Sequence, residues 1–265
     1  MGVRARIAWP RNLLGSYLAQ QRAIREFWKW NEQDEIRLRF YRQFMAPGNL
    51  VFDVGANFGN RTKIFLALGA KVVAFEPQPG CVERLAYVLG KHRRFLLAPS
   101  ALGEKEGSAE LIMSKVHVLS TLSDEWISRT KLSGRFDRWE SWENNERRQV
   151  DVSTLELAIE RFGLPAFIKI DVEGFELPVL RGLKRPIRAI SFEFAGENLD
   201  DTLECVDYID RLAPSQFRVS LGESMHFRGD GWRSAQDIRT DLVSLAKADR
   251  LVWGDVYART LRALP

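Results

Sequence analysis

Cysteine and histidine are scarce in this 265-residue chain, and their scarcity removes whole classes of chemistry. Cys81 and Cys205 sit in unlike contexts and can build neither a disulfide framework nor a zinc cluster, which points to a reducing compartment. Three histidines add little capacity for binding metal. Charge of one sign is also lacking. Thirty-nine basic and thirty-five acidic residues leave a formal +4, too weak a field for the electrostatic footprint of a nucleic-acid binder. No apolar run is long enough to span a bilayer, and the N-terminal MGVRARIAWPRNLLGSYLAQ lacks the unbroken apolar stretch of a signal peptide. Internal repeats and low-complexity tracts are missing too. The expectation is a soluble, cytoplasmic protein that handles a small molecule or a glycan, with oligomeric state unspecified.

What is present is an alternation of apolar runs and helical patterns. From Leu13 to Met45 the apolar residues Leu14, Leu18, Ile24, Phe27, Trp28, Ile36, Phe40 and Phe44 recur near helical spacing among basic residues, predicting one or two amphipathic helices that Pro47-Gly48 stops. Residues 1–46 are read as a helical extension and 47–265 as the main domain. LVFDVG then gives a strand ending in a glycine turn, followed by a helix that closes at Gly69. KVVAFEP is a second strand, Cys81 to Leu89 a helix, RRFLLAPSAL a third strand, and AELIM a short one. The rhythm breaks at about 114–148, an insertion rich in Trp, Arg and Glu. It resumes with helix Thr154 to Phe162, strand AFIKID, helix Phe175 to Leu183, strand IRAISFEF and a helix around Thr202 to Leu212. QFRVSLG and RLVWGDVYA form a closing strand pair flanking helix Ala235 to Ala248. Such alternation predicts an α/β, Rossmann-like, doubly wound sheet, mostly parallel with an antiparallel closing strand and helices on both faces.

In an open sheet of this kind the ligand lies beyond the carboxyl ends of the strands, where the winding reverses. There the first turn reads Asp53-Val-Gly55-Ala-Asn57-Phe-Gly59. Gly55 permits a tight turn with positive φ, and Gly59 lets the helix start close to strand and ligand. The dinucleotide fingerprint G-x-G-x-x-G does not fit, because Asn57 stands where its second glycine would lie against pyrophosphate. A carboxylate at Asp53 repels phosphate and suits S-adenosyl-L-methionine, which carries a sulfonium and an ammonium. Glu76 ends the second strand, where an acid accepts hydrogen bonds from both ribose hydroxyls. Ser100 and Ala101, in the turn after the third strand, are placed to flank an adenine. Each acid also has a plainer role open to it, Asp53 as a helix cap and Glu76 as an exposed residue before Pro77.

The segments VFDVGANFGNRT, VVAFEPQP, SALGEKEG and FIKIDVEGFELPVLRG resemble, in order and spacing, the FkbM family of S-adenosylmethionine-dependent methyltransferases. The likeness runs from about Pro47 to about Phe194. It implies a class I methyltransferase acting, in many relatives, on hydroxyl groups of sugars or of glycosylated or polyketide products. The chain departs from that pattern in LAYVLGKHRRF, where relatives often carry asparagines, and at Glu156, where aspartate is usual.

Methyl transfer to an alcohol is an in-line displacement that also requires a base. Asp171 ends AFIKID, which by winding order neighbours the first strand, so it is the candidate base or acceptor-orienting group. Glu173 follows on the turn. The two acids alternatively cap the following helix, or bind a divalent cation that acidifies the acceptor hydroxyl; no metal ligand is assigned. Lys169 shares Asp171's face and needs a buried carboxylate partner such as Glu193. His226, in GESMHFRGDG, is the rival base, and His117 in the insertion is another. Trp126, Trp139 and Trp142, interleaved with Arg129, Arg135 and Arg138, form either a substrate lid or packing for the insertion. The leading expectation is a small-molecule or glycan O-methyltransferase. The alternatives are a methyltransferase acting on nucleic acid or protein, a cofactor-binding module without turnover, and a nicotinamide oxidoreductase.

Overall fold

The computed structural model describes residues 28–114, 119–135 and 146–261. Helix α1 (Glu32–Tyr41) opens with a capping box, in which Asn31 accepts from the Asp34 N–H and Asp34 accepts from the Asn31 N–H. It is followed by β1 (Leu50–Val54), α2 (Asn60–Ala67), β2 (Lys71–Phe75), α3 (Pro79–Leu89) and β3 (Phe95–Ala98). Strands β4 (Ala101–Leu102) and β5 (Gly107–Ile112) come next, then α4 (Asp124–Ser133) and β6 (Arg147–Ser153). The chain continues with α5 (Leu155–Phe162), capped by Thr154, then β7 (Phe167–Ile170), α6 (Glu176–Arg181) and β8 (Ala189–Ala195). It ends with α7 (Leu199–Leu212), β9 (Ser215–Leu221), α8 (Ala235–Ala248) and β10 (Trp253–Thr260).

The seven-stranded sheet has the order β3-β2-β1-β7-β8-β10-β9. The first five are parallel, and β10 inserts antiparallel between β8 and β9. The winding therefore reverses between β1 and β7, so their carboxyl tips and that of β2 form the crevice expected of such sheets. The apolar run RRFLLAPSAL is not one strand. It divides after Ala98, and its second half, β4, joins β6 and β5 in a separate small sheet.

Alternation along each central strand sorts side chains onto two apolar layers. Phe52, Val54, Ile168, Ile170, Ile190 and Phe192 pack on one side with Leu177, Leu180, Val206 and Leu242 of the later helices. Val51, Val72, Phe167 and Tyr257 pack on the other with Phe40, Tyr41, Ile64, Phe65 and Leu85. Helices thus cover both faces, which is why these strands carry apolar residues at nearly every position. The described part of the N-terminal extension belongs to this second layer. Phe44 stacks between Phe167 and Tyr257, with ring centroids 5.1 and 5.3 Å away and interplanar angles of 17° and 14°. Leu14, Leu18, Ile24, Phe27, His117, Trp139, Trp142 and Arg138 fall outside the described residues.

Truncating Phe44 to Ala removes the ring that two others sandwich, and the loss expected is about 3 to 5 kcal/mol. A urea midpoint that drops with unchanged slope is the expected result; an unaltered midpoint would mean that the extension contributes nothing to the core.

Candidate active site

The register of β1 against its neighbours places the acids. Asp53 lies opposite Ala74 of β2 and Lys169 of β7, so Asp53, Glu76 and Asp171 reach the same end of the sheet. Backbone bonds fix the loop beyond β1, since Gly55 and Ala56 N–H groups donate to Phe75 O at 3.0 and 3.1 Å, and the Asp171 N–H donates to Val54 O at 2.9 Å. Gly55 takes φ of +78°, and a Cβ there would run into the carbonyl oxygen of Asp171. Only glycine lets the two loops meet so closely. Gly59, with φ of +84°, caps α2 and packs against Leu85 and Trp28.

Around these tips lies a cavity of about 350 Å³. Its lining includes Asp53, Gly55, Asn57, Glu76, Ser100, Ala101, Asp171 and Glu173, all of them expected from the sequence. Gly59 sits behind the loop and does not line it. His226 does not line it either: the ring is exposed, with Nδ1 2.5 Å from Ser224 O. The sequence reading missed Arg61, just past the Gly59 turn, and Arg37, Thr121, Glu223 and Trp253, which reach the cavity from elements distant along the chain.

Each acid is held in a distinct way. Asp53 does not cap α2; its carboxylate accepts from the Thr62 hydroxyl, and burial pushes its pKa up to about 6. Glu76 accepts the Asn57 N–H at 2.7 Å on one oxygen and the Gln78 N–H at 2.8 Å on the other. Those bonds oppose the effect of burial without cancelling it, and the pKa rises to about 7. A carboxylate has about four lone-pair sites, of which the two backbone N–H groups and the Gln78 side chain take three. Asn57 itself sits at φ +50° and its side chain accepts the next N–H, from Phe58.

No side chain caps α6, neither that of Asp171 nor that of Glu173, and Glu176 instead folds back onto the turn before the helix. Its carboxylate accepts from the Val172 and Gly174 N–H groups at 3.1 and 3.3 Å, and burial lifts its pKa to about 7. Glu173 is thereby left at φ +54° in the turn, with its carbonyl bound by the Thr121 hydroxyl at 2.7 Å. Its carboxylate gathers with those of Asp171 and Glu193, one oxygen of each lying within 4.8 Å of the others. Burial first, then mutual repulsion, holds Glu173 and Glu193 well above the usual carboxylate range. Such an oxygen-rich trio is also the donor set that a hard divalent cation takes.

Lys169 pairs with Asp171 and Asp255, each at 3.0 Å, rather than with Glu193. Although burial opposes its charge, the two carboxylates keep its pKa well above the ordinary lysine value. The insertion's arginines are likewise taken up within the protein. Arg135 is paired with Glu197, and Arg129 with Glu125, Asn198 and Asp201. Trp126 is buried against Gly174. Among the described residues of the insertion, Trp126 packs on the turn that carries Glu173, and Arg129 and Arg135 are held by the segment that follows β8.

The sheet order and the acids at its tips define a class I methyltransferase fold. The sequence pattern of the methyltransferase FkbM domain matches residues 53–245, and the chain belongs to that family. No curated protein matches it. Solved structures similar in outline include an O-methyltransferase from Bacillus cereus in complex with SAH, at 11% identity and TM-score 0.45, covering 96% of this chain and 92% of that chain. A precorrin-6y C5,15-methyltransferase from Geobacter metallireducens gives 10% identity and TM-score 0.43 over 86% and 87% of the two chains. A TehB-like SAM-dependent methyltransferase from Corynebacterium glutamicum gives 10% and 0.44 over 94% and 97%.

Because Asp53, Glu76 and Glu176 all have folded-state pKa values above their unfolded ones, the native chain binds more protons than the unfolded chain between about pH 4 and 7. Their contribution to stability is complete below the unfolded pKa values and disappears as pH rises through about 6 to 7. Urea unfolding of the ligand-free protein should therefore show stability falling across that window. Asp53→Asn should flatten the lower part of the fall, and an unchanged profile would mean that Asp53 is not desolvated.

Proposed function

We propose that this chain is an S-adenosyl-L-methionine-dependent O-methyltransferase acting on a hydroxyl of a sugar, a glycan, or a glycosylated or polyketide product. The observation that carries this reading is the arrangement of carboxylates at the tips of β1, β2 and β7 around one cavity. Six carboxylates and two guanidinium groups line it, which suits a cationic nucleoside and opposes a pyrophosphate. That imbalance disfavours a nicotinamide dinucleotide. The cofactor supplies an electrophilic methyl group on a sulfonium.

In this reading the Glu76 carboxylate accepts the ribose hydroxyls, the Gln78 side chain giving up its bond to make room, and Ser100 and Ala101 border the adenine. Asp53 offers negative charge to the amino-acid end. Gly55 keeps the floor of the site free of side chains where β1 and β7 approach. Asp171 receives the proton of the acceptor hydroxyl as the oxygen forms its bond to the methyl carbon and the sulfur takes back the electron pair of the breaking bond. Lys169 fixes the Asp171 carboxylate while leaving it about one-third exposed toward the cavity. Glu173 and Glu193 face Asp171 across the cavity, within reach of a neighbouring acceptor hydroxyl.

A second reading rests on the oxygen trio. Asp171, Glu173 and Glu193 would hold a divalent cation, which would lower the pKa of the acceptor hydroxyl so that its proton could pass to solvent. The two differ in their response to chelation: activity that survives EDTA supports the base, and activity restored only by added Mg²⁺ supports the cation.

Incubation with labelled S-adenosyl-L-methionine and a panel of sugars, glycolipids and lysate fractions tests the proposal, and label on an oxygen of a glycan or glycosylated product is the expected outcome. Label found only on nucleic acid or protein would overturn the acceptor class. Glu76→Ala should weaken cofactor binding by about 1 to 3 kcal/mol. Asp171→Asn should leave binding nearly intact and cut turnover about a hundredfold or more. Undiminished turnover would move the base elsewhere.

A further inference from the structure

Among the described residues that line the cavity, Arg37 and Arg61 are the only basic ones. Arg61 projects from the first turn of α2, directly after the Asp53–Gly59 loop, and Arg37 comes from α1. Both converge on one carboxylate. Arg61 Nη2 lies 2.6 and 2.9 Å from the two oxygens of Glu223, and Arg37 Nη2 lies 3.2 Å from one of them. Asp34, 3.6 Å from Arg37, is more tightly engaged by Lys63 at 2.6 Å. Three cations therefore share the carboxylates of Glu223 and Asp34, with Asp255 also acting on Arg61 through its charge. The Nε groups of Arg37 and Arg61 are buried without an acceptor among the described residues, a state that buried donors rarely keep.

Glu223 itself differs in kind from the groups it pairs with. Its side chain is 44% exposed whereas those of Arg61 and Arg37 are 10% and 14% exposed. It reaches them from the β9–α8 loop, between Gly222 at φ +52° and Met225 at φ +51°. The arginines hold its pKa down to about 2 against the effect of burial. A part-exposed carboxylate resting on two largely buried guanidinium groups at a cavity wall is what an internal stand-in for a ligand's carboxylate looks like.

We propose that Arg37 and Arg61 form an anion subsite that takes the amino-acid carboxylate of the cofactor, and that Glu223 occupies it while the cavity is empty. This inference rests on the functional reading above. With the ribose at the tip of β2 and the sulfonium between the tips of β1 and β7, the amino-acid end extends past the β1 loop toward the start of α2. There it meets a wall that otherwise repels it: Asp53, Asp171, Glu173 and Glu193 suit the sulfonium and ammonium, and only the two arginines suit the carboxylate. Binding exchanges one carboxylate for another on the same guanidinium groups, so the Glu223 loop is released when the cofactor enters.

The full chain is titrated calorimetrically with S-adenosyl-L-methionine and with its decarboxylated analogue, which keeps both positive charges and lacks the carboxylate. The wild type should prefer the carboxylate-bearing compound about tenfold or more, in line with a charge-assisted hydrogen bond. Arg37→Gln, at the less buried arginine, should shrink that ratio toward one with little change for the analogue. Glu223→Gln should tighten binding of S-adenosyl-L-methionine alone by removing the competitor. A ratio near one in the wild type assigns the arginines to an acidic group on the acceptor instead and overturns the proposal. A ratio that Arg37→Gln leaves untouched, or equal weakening of both ligands, also overturns it. If neither compound binds the wild type, the methyltransferase reading itself fails and this inference with it.

Discussion

A fully buried ammonium group must be neutralised where it stands, because an unpaired charge removed from water is too costly for a fold to carry. Lys169 stands in the middle of the sheet, opposite Asp53 of β1, and its pairing with Asp171 and Asp255 settles much of the surrounding geometry. The bond to Asp255 crosses β8 and ties a parallel strand to the antiparallel one inserted beyond it. Asp255 accepts from Tyr257 at 3.1 Å, and Tyr257 lies 3.4 Å from the hydroxyl of Tyr41 in α1. One cation thus links the strand tip that carries Asp171 to the helix that covers the opposite face. The rotamer of Asp171 is fixed by the core and not left to a mobile loop.

Around that cation the molecule keeps more carboxylates than it can satisfy. Asp53, Glu76, Glu173, Glu176 and Glu193 all titrate above the ordinary carboxylate range, and burial is the leading cause in each. Glu76 and Glu176 are bound by backbone N–H groups and shape their turns. Glu173 and Glu193 instead face Asp171 across the cavity. Perturbed acids gathered at the switch point of a parallel sheet are the pattern that functional sites adopt. A ligand carrying positive charge relieves this repulsion, which is the physical link between the empty fold and the proposed use of a sulfonium.

The parts of the site that could be read from sequence are those set by local rules. Strand alternation and the winding order put Asp53, Glu76 and Asp171 at strand tips, and the glycine turn marked the loop between them. Local rules do not fix which strand lies beside β8. Lys169 was expected to pair with Glu193, but β10 brings Asp255 opposite Glu193 in register, and Asp255 is the group within reach. The same limit hid Arg37, Arg61 and Glu223, three residues from α1, α2 and the β9–α8 loop whose meeting depends on tertiary packing. The insertion left a lid and packing both open, and for its described residues packing is what is found, since Glu197 and Asp201, remote in sequence, neutralise Arg135 and Arg129. His226 lies exposed outside the cavity lining, since a glycine-bounded loop can reach a site without doing so. Departures from the plain α/β pattern, such as the division of RRFLLAPSAL between two sheets, follow from packing that no single segment encodes.

The account stands on one placement, that of an adenosyl cation across the tips of β2, β1 and β7. A crystal structure of the protein with S-adenosylhomocysteine, in which a thioether sulfur stands in for the sulfonium, tests it most directly. The account predicts both ribose hydroxyls on Glu76 and the sulfur lying between the Gly55 loop and Asp171. A ligand bound elsewhere, or one that leaves the Glu76 carboxylate without a ribose contact, would contradict it.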